Sequence, residues 1–374
     1  MRYAEKMKDI CRRVSYVWAR EMKTVVKDEG VLIFFVLVPL VYPLLYSWIY
    51  NNEVVRDVPV VVVDDSHGQM SRRLARMLDA TSDVKVMGYA ADMEEARNMM
   101  AHQDAFGIVH IPSDFERRIY RREQSTVSVY CDMSLLLTYK AIYTSVMAVT
   151  SDMASEMAGR KGADVSLREV AMFNPTSGYG SFIIPAVLML IIQQTLALGI
   201  GMIAGTQRER QRPSETNKSF GAGVLVVGKS LCYFMIYAVV AAYLVCVVPG
   251  LFSFVSLSHA SALTALFVPY ILSCIFFAMT VTSMVRYREN VILLVVFASV
   301  PLLFISGVSW PQSNISWLWQ SVSWLFPSTF GIQAFVRLNS MGAEAQDVMP
   351  QIWGLWLQTA FYLTSAYVIH YYRK

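Results

Sequence analysis

Residues 230–285 read SLCYFMIYAVVAAYLVCVVPGLFSFVSLSHASALTALFVPYILSCIFFAMTVTSMV, and none of these 56 residues is Asp, Glu, Lys or Arg. A helix needs about 20 apolar residues to cross the hydrocarbon core of a bilayer, so the run is long enough for two crossings. Pro249-Gly250 and the polar stretch 253–261 place the break between them. Four more uncharged runs lie along the chain, at Val31–Tyr50, Phe182–Thr206, Val291–Val336 and Val348–Tyr372. The third of these holds one span and then an apolar segment rich in Trp, Ser and Pro. The runs predict a polytopic α-helical membrane protein with six transmembrane helices, at 31–50, 182–206, 228–249, 262–285, 291–309 and 351–371. A polar segment of 30 residues precedes the first run and no small-residue cleavage site follows it, so it reads as a retained anchor and not as a signal peptide.

The composition agrees. Charged residues are 16% of the 374, against about 25% in ordinary globular proteins, and hydrophobic residues are 55%, which excludes a wholly soluble protein. The net charge of +4 is too small to imply a nucleic-acid partner. Positive charge in the short flanks sets the orientation. Arg2, Lys6, Lys8, Arg12, Arg13, Arg20, Lys23 and Lys27 precede the first span, Arg208, Arg210, Arg212 and Lys218 follow the second, Arg286 and Arg288 follow the fourth, and Arg373-Lys374 ends the chain. Six spans put all four groups on one side, so both termini are expected in the cytoplasm.

That arrangement places 51–181 outside the cytoplasm, where long domains cross regardless of their charge. The segment reads as a small α/β domain. Val58–Val63 is a β-branched run ending in the turn signal Asp64-Asp65-Ser66, and Gln69–Ala80 has Met70, Leu74, Met77 and Leu78 on one helical face. Strands are expected at Val84–Tyr89, Phe106–Ile111 and Thr126–Cys131, with helices at Asp92–Gln103, Phe115–Glu123 and Ser134–Gly159. The alternation predicts a mostly parallel or mixed sheet.

No catalytic or metal constellation emerges. Cys131 is the one cysteine of the 51–181 segment, so no disulfide can form within it, and neither the five cysteines nor the five histidines have metal-site spacing. Residues 223–230, GVLVVGKS, fit the phosphate-loop pattern G-x-x-x-x-G-K-[ST]. No strand precedes them and a span follows, so they read as a Gly-bearing start to a helix, with Lys229 reaching to headgroups. Asp64-Asp65 reads as a strand-ending turn. No acidic residue lies inside a span, which argues against an ion-coupled transporter.

Two features near the basic flanks point to a partner. In Arg12–Glu29 the residues Val14, Val17, Trp18, Met22, Val25 and Val26 recur at helical spacing with Arg, Glu and Lys opposite, as in a helix that lies in a membrane interface. Thr206–Ser219, TQRERQRPSETNKS, is a charged loop too short to be a domain. Within the spans, Gln193-Gln194 would face inward, lining a path or bonding between helices. Pro301, Ser306 and Gly307 could break the fifth span near its outer end. Trp310, Trp317, Trp319 and Trp324 suit an outer aromatic belt or a re-entrant hairpin.

These residues resemble, along nearly the whole chain, the permease subunits of ABC transporters, the ABC-2 type exporters. The resemblance rests on VPVVVVDDSHGQMSRRLARMLDA, FGIVHIPSDFERRIYRRE, FNPTSGYGSFIIPAVL, FISGVSWP and LFPSTFGIQAFVR. It implies a cytoplasmic N-terminus with an interface helix (1–30), a first span (31–50), an extracytoplasmic α/β domain (51–181) and a five-helix membrane domain (182–374). The last of these carries a coupling loop at 206–221 and an outer re-entrant segment at 310–350. The family's loop reads close to R-E-x-E-x-G-T-x-E. Arg208, Glu209 and Arg210 match its beginning and Glu215 its end, while Pro213-Ser214 replaces the Gly-Thr and can still open a helical turn. The resemblance thus assigns ATPase coupling to Arg208, Glu209, Arg210, Glu215, Trp18 and Arg20, and a substrate path touching Gln193, Gln194, Ser306 and Gly307. It implies no cofactor in this chain, since ATP and Mg²⁺ would be held by partner ABC ATPase subunits. The other implied partners are a second permease subunit (identical or paralogous), a periplasmic adaptor protein and the lipid of a bacterial cytoplasmic membrane. The substrate class implied is that of the drug- and small-molecule-export branch. The alternative is a membrane-anchored receptor or adhesin that binds its ligand through 51–181.

Overall fold

The computed structural model describes all residues except 1, 51–54, 122, 133–134, 159–178, 210–219, 253, 255, 311 and 373–374. In chain order the elements are α1 (Arg2–Lys27), α2 (Glu29–Ile49), β1 (Val58–Asp64), α3 (Gln69–Asp79), β2 (Val84–Ala90), α4 (Met93–Ala101), β3 (Gly107–Ile111), α5 (Phe115–Tyr120), β4 (Ser128–Cys131) and α6 (Leu136–Ala158). There follow α7 (Tyr179–Glu209), α8 (Ala222–Phe252), α9 (Ala260–Val281), α10 (Arg288–Ile305), α11 (Trp317–Ser323), α12 (Pro327–Met341) and α13 (Met349–Tyr372). The chain divides into two compact units, Asn52–Ala171 and the remainder, Met1–Asn51 with Met172–Lys374.

The smaller unit is built around a four-stranded sheet in the order β2-β1-β3-β4. The β1 strand runs parallel to both neighbours, and β4 is antiparallel to β3. Its valines are buried on both faces. Val58, Val60 and Val62 pack with α3 and α6, while Val61 and Val63 pack with α4. A strand covered on both sides needs no polar alternation, which explains the unbroken valine run. At the end of β1, Asp64 accepts the amides of Ser66 and His67 at 3.0 Å each and the Ser71 hydroxyl at 2.7 Å. Glu116 of α5 accepts the Gln69 amide at 2.9 Å, capping α3, and a side chain at Gly68 would collide with that carboxylate. The acidic turn, the S-R-R-L helix and the I-P-S-D-F-E turn therefore meet at one place.

The larger unit is helical. Among the described residues, five of its helices are long and apolar enough to cross a bilayer: Glu29–Ile49, Ile183–Glu209, Ala222–Phe252, Ala260–Met284 and Arg288–Ile305. The α13 helix occupies the position expected for a sixth, at 351–371, but Gln351, Gln358 and its Trp and Tyr residues make it less apolar. Helix α8 runs through Pro249-Gly250 to Phe252, beyond the break that the sequence suggested. The reason is a wide turn at Tyr243–Val247, where the Val248 amide bonds to Tyr243 O, which gives the proline ring room. Helix α2 does the same at Ile33–Leu37 ahead of Pro39. Helix α7 is the axle of the unit, and its glycines set the approach distances. A Cβ at Gly199 would lie 1.9 Å from the Phe35 ring, and one at Gly201 would lie 2.3 Å from Val291. Small residues let helix backbones approach closely where no hydrophobic effect drives them together.

Candidate functional site: a polar latch at the helix ends

Helix α1 buries Val17, Glu21 and Val25, one residue per turn, with Val14, Trp18 and Met22 half-buried beside them. This corrects the expected amphipathic pattern, because Glu21 sits in the middle of the packed face and Val26 is exposed. The packed face lies against the start of α8. Val17 fills the space left by the missing side chain of Gly228, where a Cβ would come within 2.7 Å. Glu21 accepts the hydroxyl of Tyr233 and lies 3.7 Å from Lys229 Nζ, with 6% and 14% of the two charged side chains exposed. Lys229 is thus engaged within the chain instead of reaching to headgroups. Residues 223–230 are helical, so their amides serve α8 and form no phosphate cradle.

A second group of charges joins α2, α7, α9 and α10. Asp28 caps α2 through the Val31 amide and takes both terminal nitrogens of Arg288, at 2.9 and 2.8 Å. Two parallel bonds of this kind are short, directional and stronger than neutral ones. Arg288 also donates to Thr206 at 3.1 Å. Burial alone would raise the Asp28 carboxyl, but the Arg288 hydrogen bonds, the Val31 amide and the guanidinium charge outweigh it and hold the group below its usual range.

The predicted coupling residues Arg208 and Glu209 fall in this group, and each holds one end of a helix. Arg208 donates to the carbonyl oxygens of Thr282, at 2.8 Å, and Val285, which closes the C-terminal end of α9. Glu209 accepts the Arg288 amide at 2.7 Å, which puts a carboxylate at the positive N-terminus of α10. The close approach depends on glycine: a Cβ at Gly205 would sit 2.8 Å from Arg288 Cα, and one at Gly30 would sit 2.3 Å from its guanidinium. Trp18 is half-buried, with its indole N–H shielded and unpartnered among the described residues, and Arg20 is exposed. Arg210 and Glu215 lie outside the described residues.

The residues expected along a substrate path sit elsewhere in the helical unit. Gln193 is 1% exposed and accepts the Ser328 amide at 2.7 Å, so it caps α12. Around the same turn, Gln358 donates to Trp324 O at 2.6 Å and Tyr362 donates to Leu325 O at 2.6 Å. These three side chains, each from the middle of a long helix, satisfy the bare backbone between α11 and α12. Gln194 is half-buried and its amide nitrogen lacks a partner among the described residues. Ser306 is fully buried, bonds to Leu303 O and accepts Gln333 on its carbonyl, and Gly307 follows with φ +93°, a left-handed conformation that glycine permits. Sequence reasoning missed Glu21 and the Asp28–Arg288 pair. The available signal was an acid centred between Val17 and Val25 on an apolar face.

A bundle of long apolar helices whose few charges lock the helix ends defines a multi-pass membrane protein. Its residues 30–368 match the ABC-2 family transporter protein model, and the chain belongs to that family. It is therefore the membrane component of an ABC transporter, whose family works with an ABC ATPase. No curated protein matches it in sequence.

Proposed function

We propose that the chain is the permease subunit of an ATP-driven exporter, moving a small lipophilic or drug-like molecule out across a bacterial cytoplasmic membrane. The observation that carries this reading is the latch. Arg208 and Glu209, the last described residues before the charged loop, grip the end of α9 and the start of α10, and Arg288 ties that junction to Asp28 at the start of α2. A displacement of the loop would reach three helices through charge-assisted bonds, as a subunit driven from outside its own fold requires. Cytoplasmic ATPase subunits carry ATP and Mg²⁺ and press on 206–221 and α1. A second permease copy or a paralogue completes the substrate route, and a periplasmic adaptor protein can receive the product.

In this reading α13 is the sixth span, both termini and the latch are cytoplasmic, and 51–181 is outside. The α11–α12 turn dips into the membrane, and buried backbone at that depth must find partners within the protein. Gln193, Gln358 and Tyr362 meet that need. A passive tether for a receptor needs no latch at its helix ends, which favours transport over the receptor alternative.

The test is purification of the tagged chain in mild detergent from its host, scored for a co-purifying ABC ATPase, alongside Glu209→Ala. The expected result is an ATPase retained by both proteins, with substrate-stimulated hydrolysis lost in the variant. Absence of any ATPase across several detergents and in nanodiscs would sink the exporter reading.

A further inference from the structure

Between β4, α5 and α6 the α/β unit has a cavity of about 910 Å³. It is open to solvent along one side, where Tyr143 and Met147 are exposed, and its volume lies in the range of small-molecule sites, roughly 300 to 1,000 Å³. The gap has a structural origin. Helix α6 carries two stripes: Ile142, Val146, Val149 and Met153 enter the core, while Tyr139, Tyr143 and Met147 line the cavity and stay partly exposed. The edge strand supplies the facing wall with Val129 and Cys131, both half-buried, whereas the central valines are fully covered.

The chemistry of the wall narrows the ligand. Glu123 is the single charged side chain among the described lining residues. Two basic groups on the flanking helices are paired within the fold, Arg118 with Asp114 at 2.6 Å and Arg73 with Glu156. Tyr139 and Tyr143 are stacked, with ring centroids 5.9 Å apart, offering π faces of the kind that attract cations. Ser125, also in the wall, has its hydroxyl shielded from solvent with no hydrogen-bond partner among the described residues, and such a group calls for an explanation.

We infer that this cavity binds a lipophilic cation: an aromatic or aliphatic body against Val129, Met147 and the tyrosines, and a positive centre towards Glu123. The inference deepens the exporter reading by naming a ligand class, and it assigns the α/β unit a binding role of its own.

The experiment uses the full chain in lipid nanodiscs without nucleotide, dialysed to equilibrium against tetraphenylphosphonium, with empty nanodiscs subtracted. Tetraphenylborate, of the same shape and opposite charge, runs in parallel. Saturable phosphonium binding is expected, with no saturable borate binding. Met147→Trp and Thr150→Phe, which fill the cavity from partly exposed positions, should abolish it while circular dichroism stays unchanged. Glu123→Gln should weaken it ~fivefold, the scale of one exposed charge contact. Equal binding of the two ions, or binding indifferent to both cavity-filling variants, overturns the site. If phosphonium binds as described but no ATPase partner is found, the exporter reading falls and the cavity stands. If an ATPase couples normally but no saturable binding occurs, the cavity falls alone.

Discussion

Asp64 and Glu21 are both buried carboxylates, 8% and 5% exposed, yet they serve opposite scales of structure. Asp64 satisfies Ser66, His67 and Ser71, all within seven residues, and so finishes its own strand and starts the next helix. Glu21 reaches Tyr233, 212 positions away, and Asp28 reaches Arg288 across 260. In the α/β unit water surrounds the surface, the hydrophobic effect assembles the sheet, and polar groups need only tidy the turns. In the helical unit lipid is as apolar as leucine and gives helices little reason to associate, so a few long-range polar bonds and glycine contacts must do that work.

The comparison can be tested because all eight tryptophans lie outside 52–171, so tryptophan fluorescence reports the helical unit and amide exchange can follow the other. The largest effect is expected from Arg288→Ala, which strips Asp28 and Thr206 of their partner. Breaking a buried pair costs about 3–5 kcal/mol, and partial exposure here (28% and 20% for the two side chains) reduces that to about 2–3 kcal/mol. The fluorescence melting point in detergent should drop by several degrees, and Asp28→Arg combined with Arg288→Asp should recover part of it. Next comes Gly205→Ala, whose methyl meets the Arg288 backbone and not a movable side chain. A loss of about 1–3 kcal/mol is expected, again in the fluorescence signal alone.

Acidification sharpens the same pair. The Asp28 carboxyl is held below its ordinary value near 3.8 when folded, so its contribution is present above that value and fades as pH falls through the lower folded one. Wild-type melting should turn down below about pH 4, and the Asp28→Asn protein, already weakened, should lack this component. A melting curve for the two proteins that runs parallel from pH 7 to pH 3 would break the assignment.

Asp64→Ala should destabilise the α/β unit by about 1–2 kcal/mol, the range for a lost helix or turn cap, seen as faster amide exchange in β1 and α3 with an unchanged fluorescence melt. Arg73→Ala, which removes an exposed contact to Glu156, should move neither readout measurably.

The two scales also explain what could be read from the sequence. The local unit was legible: Val58–Val63 lies within β1, Val84–Tyr89 within β2, and the strand expected at Phe106–Ile111 differs from β3 by one residue. Each is announced by β-branched runs and by turn residues a few positions away. The long apolar helices were equally plain, since absence of charge over twenty residues is a one-dimensional signal. The latch was not. Arg208 and Glu209 stood out as charges beside a span, but nothing in their neighbourhood says that they grip residues 282–288. Gln193 read as a pore-lining or interhelical group, and its partner, the Ser328 amide, is a backbone group with no sequence signature. Helical periodicity alone puts Glu21 on the polar face, because it treats every acid as solvent-facing unless a partner is known.

The Asp28–Arg288 bond also imposes an order on biosynthesis. At ~5–20 residues per second, roughly 10–50 s pass between synthesis of the carboxylate and of the guanidinium 260 positions later. During that interval Asp28 can cap its own helix through the Val31 amide but lacks its guanidinium partner, and the nascent chain cannot reach its final helix arrangement before the fifth apolar helix begins to emerge.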